Sequence, residues 1–348
     1  MSSTALWQRL VELGEVHGAA PEERAVPWSI RLMLGAGAWL GSMFALGLLA
    51  ALSYQFFEHA SGRLMVAAFA AGAAYLLFQA GLRNVFVSQL GLICGCIAQA
   101  LVLWSIFDAL KLGANAALAV FLLAILSLAL PSRLWRVLST WQALIALVWL
   151  THELEVLYFL PLLTALCAVA GGLLFIEPKL ALRRYELLRP LAFGLVLGAF
   201  GLSAWLLASM WVGVVAANSS TEPPIRAWLG LTSLLLGLSN AWLAWHFAKR
   251  HALANAGLAC VLPLALAAAT WSCPPLSAAL GLVLLGYGRG EKALLAFGIL
   301  GLICALGWHY YALSWPLDLK ALSLVGAGVL LGASRAYLLK LPREVDHA

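Results

Sequence analysis

Charge is what this chain has least of. Only 10% of its 348 residues are Asp, Glu, Lys or Arg, against about 25% in soluble domains. A soluble globular fold is excluded, because 64% of the residues are apolar and too few polar ones remain to face water. No hydrophilic stretch is long enough to fold by itself; the longest ends at Arg31. The apolar runs also lack polar alternation, which excludes transmembrane strands. A phosphate-cradling glycine loop ending in Lys-Ser or Lys-Thr is missing, and with it an ATP-driven motor. So is the His-Glu-x-x-His spacing of metal-dependent hydrolases.

What is there is a series of apolar runs close to the roughly 20 residues a spanning helix needs. In hydrocarbon every backbone N–H and C=O must be paired within the chain, so runs of this length form helices. The expected fold is an all-α, polytopic transmembrane bundle, with a mean hydropathy of +0.95. Breaks by charge and proline place its spans at 32–55, 64–82, 85–107, 112–130, 134–151, 156–176, 190–215, 227–247, 252–271, 274–289, 293–313 and 320–339. The fifth and tenth are short, and Pro274-Pro275 opens the tenth with a turn that could make it a re-entrant hairpin; the count is therefore ten to twelve. Pro161 and Pro263 fall inside spans, where each removes a helix hydrogen bond and predicts a kink.

Lys and Arg set the orientation. Of 21 such residues, only Arg63, Lys111, Arg226 and Lys320 fall on one side of the alternating loops. The other 17 crowd the opposite side, in clusters such as Arg133 with Arg136, Lys179 to Arg189, and Arg289 with Lys292. The positive-inside rule makes that side cytoplasmic, together with both termini. The net charge of +6 then reads as topology and lipid contact, with no nucleic-acid partner. Tryptophans agree with the map. Trp104, Trp149, Trp211, Trp228, Trp271, Trp308 and Trp315 stand near outer span ends, and Trp28, Trp135 and Trp245 near inner ends, at the headgroup level that indoles favour.

Three segments result: an N-terminal cytoplasmic stretch over 1–31, a membrane domain over 32–339 and a cytoplasmic tail over 340–348. In the first, Leu6, Trp7, Leu10, Val11 and Leu13 have the spacing of an amphipathic helix. Its glutamates, and the lack of a compact basic segment before a short apolar core, argue against a cleavable signal. Five of the six cysteines sit inside apolar runs as packing residues, and Cys273 alone is expected at an outer, oxidising surface. Gly37 with Gly41, Gly91 with Gly95, Gly194 with Gly198, and Gly328 with Gly332 provide small faces for close helix contact.

The spans hold almost no charge in their interiors, which counts against proton- or ion-coupled carriers. Gln79, Gln89, Gln99, Gln142 and Asn240 are the polar groups left there, and interhelical hydrogen bonds account for them. Nor does Gly81-Leu82-Arg83-Asn84 match the Asp-Arg-rich loop of major-facilitator carriers. On the outer side lie Glu58, His59, Asp108, His152, Glu153, Glu155, Glu222, His309 and Asp318, with Tyr310 and Tyr311. His152, Glu153 and His309 are the candidates for a metal or proton-transfer site, since imidazole and carboxylate both ligate and exchange protons. They come from separate loops, and solvated loop ends explain them as well; no catalytic residue, metal or cofactor is therefore assigned.

The stretch Pro27-Trp28-Ser29-Ile30-Arg31-Leu32-Met33-Leu34-Gly35 with Trp39-Leu40-Gly41 resembles the start of a bacterial family of polytopic inner-membrane proteins without an assigned activity. Gly288-Arg289-Gly290, Leu294-Leu295-Ala296-Phe297-Gly298, His309-Tyr310-Tyr311 and Leu322-Ser323-Leu324 resemble its C-terminal part. The resemblance implies a bacterial inner-membrane location and, as a partner, a membrane-anchored protein with a GDYXXLXY motif; it carries over no site residue. Two functions follow as expectations: a non-enzymatic scaffold or assembly partner of another envelope protein, or a transporter of an uncharged or lipid-like substrate.

The charge asymmetry yields a direct test. Reporters fused after Ala348 and between Arg183 and Arg184 are expected to report cytoplasm, and one between Glu222 and Pro223 the opposite side. Matching signals from the two internal insertions would refute the orientation.

Overall fold

The computed structural model describes residues 58–80, 85–176, 185–212, 225–250, 256–271 and 273–312, with isolated positions between 11 and 44 and at 316 and 318. Every regular element among them is helical. In chain order they are α1 (Ala60–Ala80), α2 (Val85–Leu110), α3 (Ala114–Ser127), α4 (Arg133–Glu153), a 3-10 turn at Leu157–Phe159, α5 (Leu160–Ile176) and α6 (Tyr185–Val212). There follow α7 (Ile225–Arg250), α8 (Ala256–Ala269), α9 (Pro274–Arg289) and α10 (Lys292–Ala312). Each coincides with one expected run from 64–82 to 293–313. The runs at 32–55 and 320–339, the segment 1–31 and the tail lie outside the described residues, isolated positions apart.

Six helices, α1, α2, α4, α6, α7 and α10, are long and apolar enough to cross a membrane; α3, α5 and the Ala259–Ala269 part of α8 are apolar but shorter. The chain is a multi-pass helical membrane protein. It divides into two compact units, Met1–Ala109 and Leu110–Ala348. In the first, α1 buries one stripe, Arg63, Ala67, Ala74 and Phe78, at helical spacing. Its other faces show Met65, Phe69 and Leu76, as a helix turned toward lipid does. Gly91 of α2 lets the Phe78 ring in: a Cβ there would stand 2.9 Å from it.

In the second unit α7 is central and α10 peripheral, their buried shares being 67% and 22%. One apolar core joins Phe175, Val196, Leu243, Leu282 and Leu294 from five helices. A second, toward the other end, joins Leu160, Leu206, Leu229, Leu276 and Ala305. The helix α9 belongs to both cores. It is one continuous helix over Pro274–Arg289, so the tenth run is not a hairpin. Its two prolines take the first helical positions, where a missing N–H costs nothing. Gly290, at φ 68°, stops it in the left-handed region. Sixteen residues reach only about 24 Å, short of the roughly 30 Å of hydrocarbon. Its N-terminal end and middle, Pro274 to Gly286, are buried against neighbouring helices, so most of that length meets protein rather than lipid.

Two proline readings change. Pro161 is the second residue of α5, because Glu155 turns at φ 56° and the 3-10 turn absorbs the residues before Leu160; no interior bond is lost and no kink is called for. Pro190, taken as the start of a run, is the sixth residue of α6, while Pro263 is interior to α8 as expected. Two tryptophans stand near helix ends as expected but face protein rather than headgroups. Trp135 and Trp228 are buried in the bundle, and the Trp135 indole donates to the Ser127 carbonyl at 3.1 Å.

Glycine sets the helix spacing in this unit. A Cβ on Gly194 would lie 2.6 Å from Thr140, one on Gly198 2.3 Å from Leu144 Cδ1, and one on Gly286 2.5 Å from the Leu295 backbone nitrogen. Gly286→Ala therefore forces α9 and α10 apart and is expected to cost about 1–3 kcal/mol. Gly307→Ala meets nothing within 4 Å and is expected to be neutral or to gain up to about 1 kcal/mol of helix propensity. Thermal unfolding in detergent compares them; equal melting would contradict the packing.

Candidate functional site

Three places stand out, two that gather polar groups at helix ends and one apolar groove in a helix contact. The first lies where α4 and α6 begin and α5 and α9 end. Ring closure at Pro190 removes the N–H that would bond the Glu186 carbonyl, four residues earlier. Arg136 Nη1 donates to that oxygen at 2.7 Å, and Arg136 Nε to the Leu128 carbonyl past the end of α3 at 3.1 Å. One guanidinium thus satisfies acceptors from two segments. Arg289 Nη2 likewise donates to the Ile176 carbonyl at the end of α5. Arg189 pairs with Glu291 and lies over the Phe175 ring at 5.9 Å. These residues are capping and bracing groups, and all of them come from the set expected to be cytoplasmic.

A second place is in the first unit. Arg63 in the first turn of α1 is buried at 4% exposure. It pairs with Asp108 in the last turn of α2, donates to Ser105 Oγ at 3.4 Å and covers the Trp104 ring at 5.1 Å. Asp108 stays half exposed, so the charge pair keeps one side open to solvent. Glu58 and His59 are exposed close by in sequence, and the His59 carbonyl accepts the Arg63 amide at 3.1 Å. Sequence alone assigned Arg63 and Asp108 to the same side and did not pair them.

The third place is a groove between α4 and α6 with a volume of about 480 Å³. Its walls are Trp141, Ile145, Trp149 and Trp205, its floor Gly198 and Gly201, and His152 stands at one end. The indole nitrogens of the two α4 tryptophans in the groove are engaged, Trp141 Nε1 with the Gly194 carbonyl at 3.2 Å and Trp149 Nε1 with Glu153 Oε1 at 2.9 Å. Between Trp141 and Trp149 the α4 wall shows ring faces and aliphatic carbons to the space.

His152 and Glu153 therefore sit exposed at the end of α4, and Glu153 serves Trp149. His309 is half-buried on α10, beside a Tyr310–Tyr311 edge-on pair at 5.5 Å. Among the described residues no three His, Cys, Asp or Glu side chains are placed to share a metal ion, and no hydrogen bond or ion pair joins His152 or Glu153 to His309. Glu155 and Asp318 are exposed, and Glu222 lies outside the described residues.

Cysteine and amide readings are settled in part. Cys273 is not at an accessible surface: it is 1% exposed beneath the start of α9, and burial pushes its thiol up to about 11. The exposed cysteine is Cys304, on α10, and all six are free. Asn240 of α7 donates to the Ser277 carbonyl of α9 at 2.6 Å, an interhelical bond as expected. The cavity beside it holds only about 10 Å³. The amide nitrogens of Gln99 and Gln142 are buried without a partner among the described residues, so helix bonding does not account for them. Gln79 is exposed.

No curated protein and no solved structure matches the chain. One family does, over residues 27–341, nearly the whole length and including both patches that carried the resemblance. The chain belongs to that family, the one described as Domain of unknown function (DUF4401).

Proposed function

We propose that the protein is a non-enzymatic scaffold or assembly partner of another envelope protein. It resides in the bacterial inner membrane and crosses it about twelve times, within a range of ten to twelve, with both termini in the cytoplasm. The observation that carries this reading is the closed centre of the second unit. Asn240, the polar group best placed to line a transport path, is spent on the Ser277 carbonyl, and only about 10 Å³ of space lies beside it. Alternating access needs a site between two rocking halves. Here α7 and α9 are locked by Gly281, where a Cβ would meet Asn240 Oδ1 at 2.6 Å. Charged side chains cap helices and brace their ends, which supports a static framework more than proton or ion coupling.

The partner implied by the family resemblance is a membrane-anchored protein with a GDYXXLXY motif. The exposed apolar faces of α1 and α10, with Phe69 and Ile303 at 82% and 64% exposure, supply surface for a second membrane protein or for lipid. One observation favours a second reading, a carrier for an uncharged or lipid-like substrate: the groove between α4 and α6 is apolar and of ligand size. Purification in mild detergent separates the two. The scaffold reading expects a stoichiometric protein partner that survives size exclusion. A lone chain that exchanges a lipid-like solute across vesicles would overturn it in favour of the carrier.

A further inference from the structure

The groove between α4 and α6 has a shape that selects its occupant. We propose that it holds one acyl chain of a phospholipid from the leaflet on the His152 side. This goes beyond the scaffold and carrier readings alike and rests only on α4 and α6 crossing the bilayer.

Depth is the first argument. From Trp141 to His152 the groove follows α4 for about 16 Å at 1.5 Å per residue. One leaflet of hydrocarbon is about 15 Å deep. Trp141 is near the middle of the Arg133–Glu153 helix and His152 at its end, so the groove occupies one leaflet's share. On α6 it runs from Leu197 to Trp205, from the middle of Tyr185–Val212 toward its C-terminal end.

Volume is the second. An α-helix with its side chains is about 10 Å across and fills roughly 400 Å³ per turn. The groove, at about 480 Å³, would take little more than one turn. A partner's spanning helix does not fit in it, whereas a flexible chain one methylene wide does. The floor explains the narrowness. Thr140 against Gly194 and Leu144 against Gly198 bring the helices into contact, and the space opens at Gly201, where nothing stands within 4 Å.

Chemistry is the third. The indole N–H groups of Trp141 and Trp149 are already bonded to protein, so the α4 wall offers neither of them to a polar ligand. At the shallow end the groove is lined by Trp149 and His152, and at the headgroup level that α4 reaches there an indole is half apolar and an imidazole can donate to a phosphate oxygen. A chain with a headgroup fits this order of walls better than a bare hydrocarbon.

Gly201 supplies the variant. Gly201→Leu places a Cβ where nothing stands within 4 Å and sends the rest of its side chain into the groove, and it replaces a poor helix former with a good one. Gly257→Leu on α8, also free of neighbours within 4 Å, is the control. Full-length protein is extracted from membranes in mild detergent and weighed by native mass spectrometry. The expected result is one phospholipid per chain retained by the parent and by Gly257→Leu, and retention at least fivefold lower in Gly201→Leu. Parent protein carrying no phospholipid, a retained free fatty acid in its place, or equal retention in Gly201→Leu would overturn the proposal. Should Gly201→Leu melt below the parent, a phospholipid with a photoreactive group at its chain end decides on parent protein alone. Labelling is expected near Trp141 and Ile145; labelling no greater than on α10, or protein crosslinks from the groove instead, overturns the proposal. Release of the chain from membranes by carbonate would instead contradict the spanning reading on which the proposal rests.

Discussion

A peptide group in hydrocarbon has no water to bond, and an unpaired one costs several kcal/mol. The arrangement of this chain follows from that cost. It makes every described element a helix, and it makes each helix end a place that needs a partner. The partners are visible: Arg136 on the Glu186 carbonyl that Pro190 leaves open, Arg289 on Ile176, the Trp135 indole on Ser127. Arginine suits the task because one fork reaches two acceptors and stays charged. Basic residues that read as topology signals in sequence thus also finish the backbone bonding of the helices beside them.

Helix packing in lipid has no hydrophobic drive of its own, since tails and leucines are equally apolar. Close approach has to supply the attraction, and glycine permits it. Gly194 and Gly198 bring α4 onto α6, Gly286 and Gly298 bring α9 onto α10, and Gly281 brings the Asn240 amide against α9. The same contacts that tighten the second unit leave the wedge over Gly201, because two straight helices touching at one level must part at another. A groove and a closed centre are therefore products of one packing rule.

Most of the fold was legible because hydropathy is a long-range, additive signal, and ten helices fall on ten expected runs. Ends were less legible. Hydropathy stops at the first charge, whereas the helix continues as long as a charge can reach a partner or the interface: Arg63 and Asp108 lie inside α1 and α2, Glu186 and Arg189 inside α6. A close helix contact was readable from Gly194 and Gly198, but neither its partner α4 nor the groove beside it, which depends on where two helices diverge. His152 was singled out for its neighbours Glu153 and Glu155, yet what the fold gives it is a place at the mouth of an apolar groove, a relation that crosses about fifty residues of sequence. Cys273 looked exposed because it stands in the gap between two expected runs; the helix begins at Pro274 as expected, but Cys273 and its first turn are packed against Leu160, Leu206 and Leu229.

The central claim is that these helices stand in a bilayer. It is tested most directly on α10, the least buried of the six span-length helices, by nitroxides at Phe297, Leu300, Ile303 and Tyr311, which are 55%, 58%, 64% and 84% exposed. In reconstituted protein, collisions with oxygen, which concentrates in hydrocarbon, are expected to peak at Leu300 and Ile303. Collisions with a water-soluble nickel chelate are expected only at Tyr311. A nickel signal that is as strong at Leu300 and Ile303 as at Tyr311 would contradict the account.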